Sequence, residues 1–235
     1  MKHLALRATV LVLFGSMCAG LGTLLNAGDD VVCRVAIKMV KVERTPALEE
    51  EKEIRGKRLW GDDVFDTAWN GQESGFNVTL TNRKDEELLI TWEKSWLIDE
   101  EGKKREIIPP SRIAGKTKDT RTSTVPARGS LQIMVMPQDY IKDQAPDLSI
   151  SGNMPMAGRS SWKFPVFKQT YTEKEVKKIT KKQEKVFKKK YGDYSDKKFD
   201  FNTFIEEKTI EVVLNMDING TSYMYHFYFN PYVLN

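Results

Sequence analysis

The chain has 235 residues, with 37 basic side chains against 33 acidic ones, a formal net charge of +4 and 30% charged residues. That composition describes a polar-surfaced globular protein and excludes a chain that is apolar throughout. Of the two cysteines and two histidines, Cys18 and His3 fall within the first 27 residues; the remainder holds Cys33 and His226 alone, so residues 28–235 by themselves can form no disulfide and offer two of the four Cys or His ligands that a structural zinc site needs.

The chain opens on Met1-Lys2-His3-Leu4-Ala5-Leu6-Arg7, a short basic start, followed by an uncharged apolar run from Ala8 to Leu25 and then Asn26-Ala27. These are the parts of a secretory signal. Residues 1–27 therefore read as a signal segment and 28–235 as one exported β-sandwich domain. The apolar run is long for a cleaved signal and just long enough to span a bilayer. Three readings compete: cleavage after Ala27, an uncleaved anchor, and a lipoprotein signal with Cys18 as the lipidated residue. Cleavage is preferred, because Gly15 and Met17 depart from the lipoprotein box and the residues after Cys18 stay apolar.

Val31, Cys33, Val35, Ile37 and Met39 alternate with more polar residues, the period of a half-buried strand over 31–42. Cys33 lies on the apolar side, a core position rather than a reactive thiol. Glu43 to Lys57 reads as a solvated loop or short helix. Phe76, Val78 and Leu80 form a second alternating run, and Leu88, Ile90 and Trp92 a third; the short polar link 82–85 predicts that these two pair antiparallel. Asp99 to Gly102 reads as a turn, Arg105 to Ile108 as the returning strand, and Thr117 to Thr124 as a loop or edge strand. Val125 to Gly129 is a further turn before the alternation of Leu131, Ile133 and Val135. Residues 142–161, rich in Pro, Gly, Ser and Met, read as a long loop.

Asn219-Gly220 is the preferred pair for a two-residue hairpin. Folding about it sets Ile218 against Thr221, Met216 against Tyr223, Leu214 against Tyr225, Val212 against Phe227 and Ile210 against Phe229, one apolar face along the whole ribbon. The segment 172–191 breaks the β pattern. Val176, Ile179, Val186, Phe187 and Tyr191 recur at helical spacing, Thr172 and Glu175 form a capping box, and Gly192 stops the helix. Nine lysines and three glutamates lie in this segment. The lysines read as spread over several sectors of the axis, which favours a solvated helix docked by an apolar stripe. The functional alternative is contact with an anionic membrane surface or an acidic partner through Lys181, Lys182, Lys188 and Lys189.

No catalytic constellation stands out. His226 lies mid-ribbon opposite Val213, away from any strand end, so a nucleophile triad is not implied. The acidic clusters Asp62-Asp63 with Asp66, Asp99-Glu100-Glu101, and Asp193 with Asp196 read as solvated turns, although a glycosidase needs only two carboxylates across a cleft. Gly71 to Gly75 lacks the Lys-Ser/Thr ending of a phosphate loop. Trp60 and Trp69 sit among charged and polar neighbours and are the aromatic residues best placed for surface contact with a glycan or peptide, although core or partial burial is the favoured reading of each. No cofactor is implied, and export argues against nucleic acid.

Between Phe76 and Ile141 the chain carries Asn82 at a strand end, Leu89-Ile90-Thr91-Trp92-Glu93, Ser95-Trp96-Leu97-Ile98-Asp99-Glu100-Glu101-Gly102, Val125-Pro126-Ala127-Arg128-Gly129-Ser130 and Met136-Pro137-Gln138-Asp139-Tyr140-Ile141. This stretch resembles uncharacterised bacterial exported proteins and lipoproteins with an Ig-like β-sandwich. The resemblance implies a fold and a location but no activity. The expectation is an all-β, antiparallel Ig-like sandwich with one inserted basic helix over 172–191. Its expected role is that of a non-enzymatic cell-envelope module that binds or scaffolds an envelope protein or glycan. The alternative is a carboxylate-dependent glycan-active enzyme.

Overall fold

The computed structural model describes residues 31–48, 52–110, 121–140, 166–192 and 199–234. Residues 1–27 with Cys18, expected as a signal segment, residues 142–161, expected as a loop, and Asp193 and Asp196 lie outside the described residues. The described chain is mainly β, with eleven strands in two antiparallel sheets and two α-helices. The larger sheet contains β1 (Val31–Thr45), β5 (Leu88–Ile98), β6 (Lys104–Glu106), β7 (Thr122–Val125), β9 (Thr170–Thr172), β10 (Ile210–Ile218) and β11 (Thr221–Leu234), in the order β6-β5-β10-β11-β1-β9, with β7 also on β5. The smaller sheet has the order β2-β3-β4-β8, from β2 (Leu59–Gly61), β3 (Phe65–Gln72), β4 (Gly75–Asn82) and β8 (Ser130–Val135). Helix α1 spans Glu173–Tyr191 and α2 spans Phe201–Glu206.

The β10–β11 hairpin has the register its sequence predicts, from Ile218↔Thr221 at the turn to Ile210↔Phe229. Asn219 and Gly220 supply the positive φ angles, 50° and 79°, that a two-residue turn of this hand requires. The ribbon is central in the larger sheet, and Val212, Leu214, Met216, Tyr225, Phe227 and Phe229 all enter the main core.

Trp60 and Trp69, the tryptophans best placed for surface contact although burial is the favoured reading of each, are 1% and 2% exposed. Trp60 meets Tyr225 edge-on at 5.9 Å between centroids and Phe227 at 6.0 Å, and Trp69 lies 4.7 Å from Phe227 and 5.0 Å from Phe229. These contacts correct the assignment to an aromatic contact surface. The polar neighbours in sequence point to the opposite face of β2 and β3, as alternation requires. Phe65, Thr67 and Trp69 alternate inward with Asp66, Ala68 and Asn70, a period-two pattern that the inward threonine conceals.

Two other expectations change. Residues 43–45 continue β1 as strand, paired to β11. Runs 76–82 and 88–98 do not pair with each other: β4 pairs with β3 and β8, and β5 with β10, β6 and β7. The short link crosses from one sheet to the other, and the turn 126–129 crosses back beside it. Buried Asn82 joins the two crossings: its amide donates to Glu86 O at 2.7 Å and Pro126 O at 3.2 Å, and its Oδ1 accepts the Lys84 N–H at 2.9 Å. Gly75 closes the β3–β4 turn at φ 151°, where an added Cβ would meet Val135 O at 2.2 Å.

Candidate interaction surface

Helix α1 starts where β9 ends. Thr172 is its N-cap: Oγ1 accepts the Glu175 N–H at 3.4 Å, while Glu175 Oε2 accepts the Thr172 N–H at 3.0 Å. Glu175 also pairs with Lys168. Burial pushes the Glu175 carboxyl up, but the Lys168 ammonium and the Thr172 N–H outweigh it and hold the group below its ordinary 4.5. At the far end the Gly192 N–H donates to Lys188 O at 2.8 Å with φ 79°, the stop expected for this residue.

The apolar side of α1 is short. Val176 and Ile179 pack on a small cluster of Cys33, Val35, Tyr171 and Ile205, with Phe201 and Phe204 of α2 beside it. Burial pushes the Cys33 thiol up, which suits a core residue rather than a nucleophile. Val186, expected to continue the stripe, is 54% exposed, and the side chain of Tyr191 lies outside the described residues. The cluster beneath the helix reaches only its first two turns, so the second half has little of the described chain to pack on.

The lysines are more ordered around the axis than the sequence reading allowed. At about 100° per residue, Lys174, Lys177, Lys178, Lys181, Lys182, Lys185, Lys188 and Lys189 fall within one arc of about 140°. All eight are exposed. Val176 and Ile179, which dock the helix, lie on the opposite side, so the lysine arc faces away from the body. The spread over several sectors is therefore corrected to a single face, with Lys190 outside it. Among the described residues, Lys177 pairs with Glu173 one turn back and Glu175 is taken up by Lys168, which leaves the acidic residues of the helix largely committed at its first turn.

Elsewhere the charged groups serve the fold. Asp62, 2% exposed, accepts the Val64 N–H at 2.8 Å and the Phe65 N–H at 3.1 Å on one oxygen, and Arg44 and Tyr225 on the other. Asp99, 1% exposed, caps its turn through the Glu101 and Lys103 N–H groups and holds the buried Arg105 Nε at 2.6 Å. Each cluster therefore holds one buried carboxylate, Asp62 or Asp99, where the sequence suggests a solvated turn, while Asp63 stays exposed. On the outer face of the larger sheet His226 Nδ1 lies 2.6 Å from Glu211 Oε1, with Trp96 edge-on at 6.3 Å and Tyr228 stacked at 6.4 Å. Lys104 covers the Trp96 ring at 3.8 Å, and Tyr228 donates to Glu43 at 2.8 Å. This aromatic row, which the sequence reading did not single out, is already capped by its own neighbours.

A cleft beside β5 has two carboxylates in its lining. In β5 the residues Trp92 to Ser95 stand against Leu214 alone, a wide bulge that Ser95 bridges by donating to Thr91 O at 2.7 Å and accepting the Asn215 N–H at 3.0 Å. Beside the bulge a cleft of about 300 Å³ is lined by Trp92, Glu93, Glu106, Arg121 and Gln138, and Glu93 pairs with Arg121 at 3.1 Å. Among the described residues no group of three or more His, Cys, Asp or Glu side chains is arranged to hold a metal ion, and no helix is long and apolar enough to cross a membrane.

Comparison with family models, with curated proteins and with solved structures returns no match.

Proposed function

We propose that this protein is a non-enzymatic, exported cell-envelope module that binds an anionic envelope component through the lysine face of α1. The observation that carries this reading is the one-sided array of eight exposed lysines on a helix docked by its opposite side. The signal-like start of the sequence supports export. The commitment of Asp62, Asp99 and Glu211 to bonds within the fold supports a binding role over a catalytic one. The test is co-sedimentation with an isolated cell-envelope fraction. The full chain is expected to pellet with it, and a chain with Lys181, Lys182, Lys188 and Lys189 replaced by glutamine to remain largely in solution. Equal pelleting of the two would reject the lysine face as the binding element.

A second reading rests on the bulge cleft. Glu93 and Glu106 lining one cleft with Trp92 is the arrangement a carboxylate-dependent glycan-active enzyme requires in outline. Release of reducing ends from envelope glycan by the wild type, abolished in Glu106→Gln, would establish it over the binding role.

A further inference from the structure

The lysine face stands in a fixed relation to the start of the described chain. Val31 is the register partner of Thr172, so the polypeptide enters β1 directly beside the N-cap of α1. The uncharged run that ends at Leu25 lies six residues before Val31, a reach of about 20 Å at full extension. Helix α1, with 19 residues, is itself about 28 Å long at 1.5 Å per residue. In the uncleaved-anchor reading, the surface that receives the apolar segment is therefore within one helix length of the lysine face. A segment of this composition and length partitions into a lipid bilayer.

We infer that the lysine face of α1 docks on an anionic lipid bilayer, with the helix held parallel to the membrane surface. This rests on the reading of α1 as the binding element and names what it binds. Three features favour lipid over an acidic protein. Every cation of the helix is lysine, a compact point charge suited to a diffuse array of headgroups, and none is arginine, whose planar fork gives paired recognition of fixed carboxylates. The lysines run the length of the helix, in the manner of a surface contact rather than a pocket. The apolar residues lie opposite the lysines, with Val176 and Ile179 committed to the body, so attachment is electrostatic adsorption rather than burial of an apolar face.

The experiment compares partition of the full chain onto phosphatidylcholine vesicles and onto vesicles containing phosphatidylglycerol. The ratio of the two partition coefficients reports the electrostatic part of binding, and its change on replacing lysines of α1, with Lys2 and Arg7 left in place, assigns that part to the lysine face. The ratio is expected to be large at low salt and to fall as salt rises. Each lysine replaced by glutamine should lower it about fivefold, and the four replacements at positions 181, 182, 188 and 189 together several hundred-fold. The corresponding lysine-to-arginine variant should keep it, and unchanged circular dichroism would establish that the glutamine variant is folded. A wild-type ratio near one, or a ratio unchanged by the four glutamines, would overturn the inference. Lysine-dependent binding to envelope fractions without lysine-dependent binding to vesicles would overturn the lipid assignment alone and leave the proposed function standing.

Discussion

Tyr225 donates its hydroxyl hydrogen to Asp62 Oδ2 at 2.8 Å, although 163 residues separate them. Tyr225 belongs to the larger sheet and Asp62 to the turn before β3 in the smaller one, so the bond ties the two layers. Arg44 reaches the same oxygen at 3.0 Å from β1. Burial, with the Asp62 carboxylate beside it, pushes the Tyr225 hydroxyl well above its ordinary value of 10.0. Removing the hydroxyl in Tyr225→Phe is expected to cost about 1–3 kcal/mol, since Asp62 keeps its other donors. Asp62→Ala strips the acceptor from the Tyr225 hydroxyl and the Val64 and Phe65 N–H groups, while Arg44 keeps Asp63, and should cost about 3–5 kcal/mol. Urea denaturation of the two variants measures both values, and an Asp62→Ala cost below that of Tyr225→Phe would contradict the layer-tying role.

The β10–β11 ribbon predicts its own sensitivity. Leu214 is fully buried opposite Tyr225, and Leu214→Ala should destabilise by about 2–5 kcal/mol through lost burial and the cavity left behind. Val186, 54% exposed on α1, provides the contrast: Val186→Ala should change stability by no more than about 0.5 kcal/mol. Comparable losses in the two variants would mean that the second half of α1 is packed against the body.

Burial of Trp60 and Trp69 has an optical consequence. Both indoles should be shielded from acrylamide, and addition of soluble glycans should leave their emission unchanged. Trp60→Ala should cost about 3–5 kcal/mol, because the ring fills the space between Phe65, Tyr225 and Phe227. Strong quenching of either residue in the folded chain would restore the surface assignment.

The sequence was most legible where two independent signals agreed. Asn219-Gly220 and the flanking alternation specified one register, and the structure adopts it. The capping box at Thr172 and the stop at Gly192 bounded α1 in the same way. Legibility failed where local order and tertiary order diverge. Residues 76–82 and 88–98 look like a hairpin because a short polar link joins them, and only the long-range bonds of Asn82 to Val125 and Pro126 show that the link changes sheets. The buried roles of Asp62 and Asp99 were hidden for the same reason, since their arginine partners come from other strands. Short helix α2 carried too few turns for its periodicity to register. The lysine face of α1 was readable in principle, because projecting each lysine at about 100° per residue needs no coordinates. What the sequence could not supply was the docking of Val176 and Ile179, which turns that face outward, and the pairing of Val31 with Thr172, which sets the start of β1 beside the N-cap of the helix.

The cap of α1 gives a prediction in pH. The folded-state carboxyl of Glu175 lies below its ordinary 4.5, so folding favours its ionised form. A depressed value of this kind contributes stability above about pH 4.5, in the range where the unfolded group is also ionised, and that contribution is lost as the pH falls through the folded value. Acidification should therefore loosen the first turn of α1, where the Thr172 N–H depends on the Glu175 carboxylate. Hydrogen exchange reads this directly: the protection factor of the Thr172 amide should fall on acidification in the wild type. In Glu175→Gln it should be lower from the outset and change little with pH. Thr172→Ala removes the other half of the box and should cost about 1 kcal/mol of local stability at neutral pH. A Thr172 amide equally protected above and below pH 4.5 in the wild type would show that the carboxylate does not hold the cap.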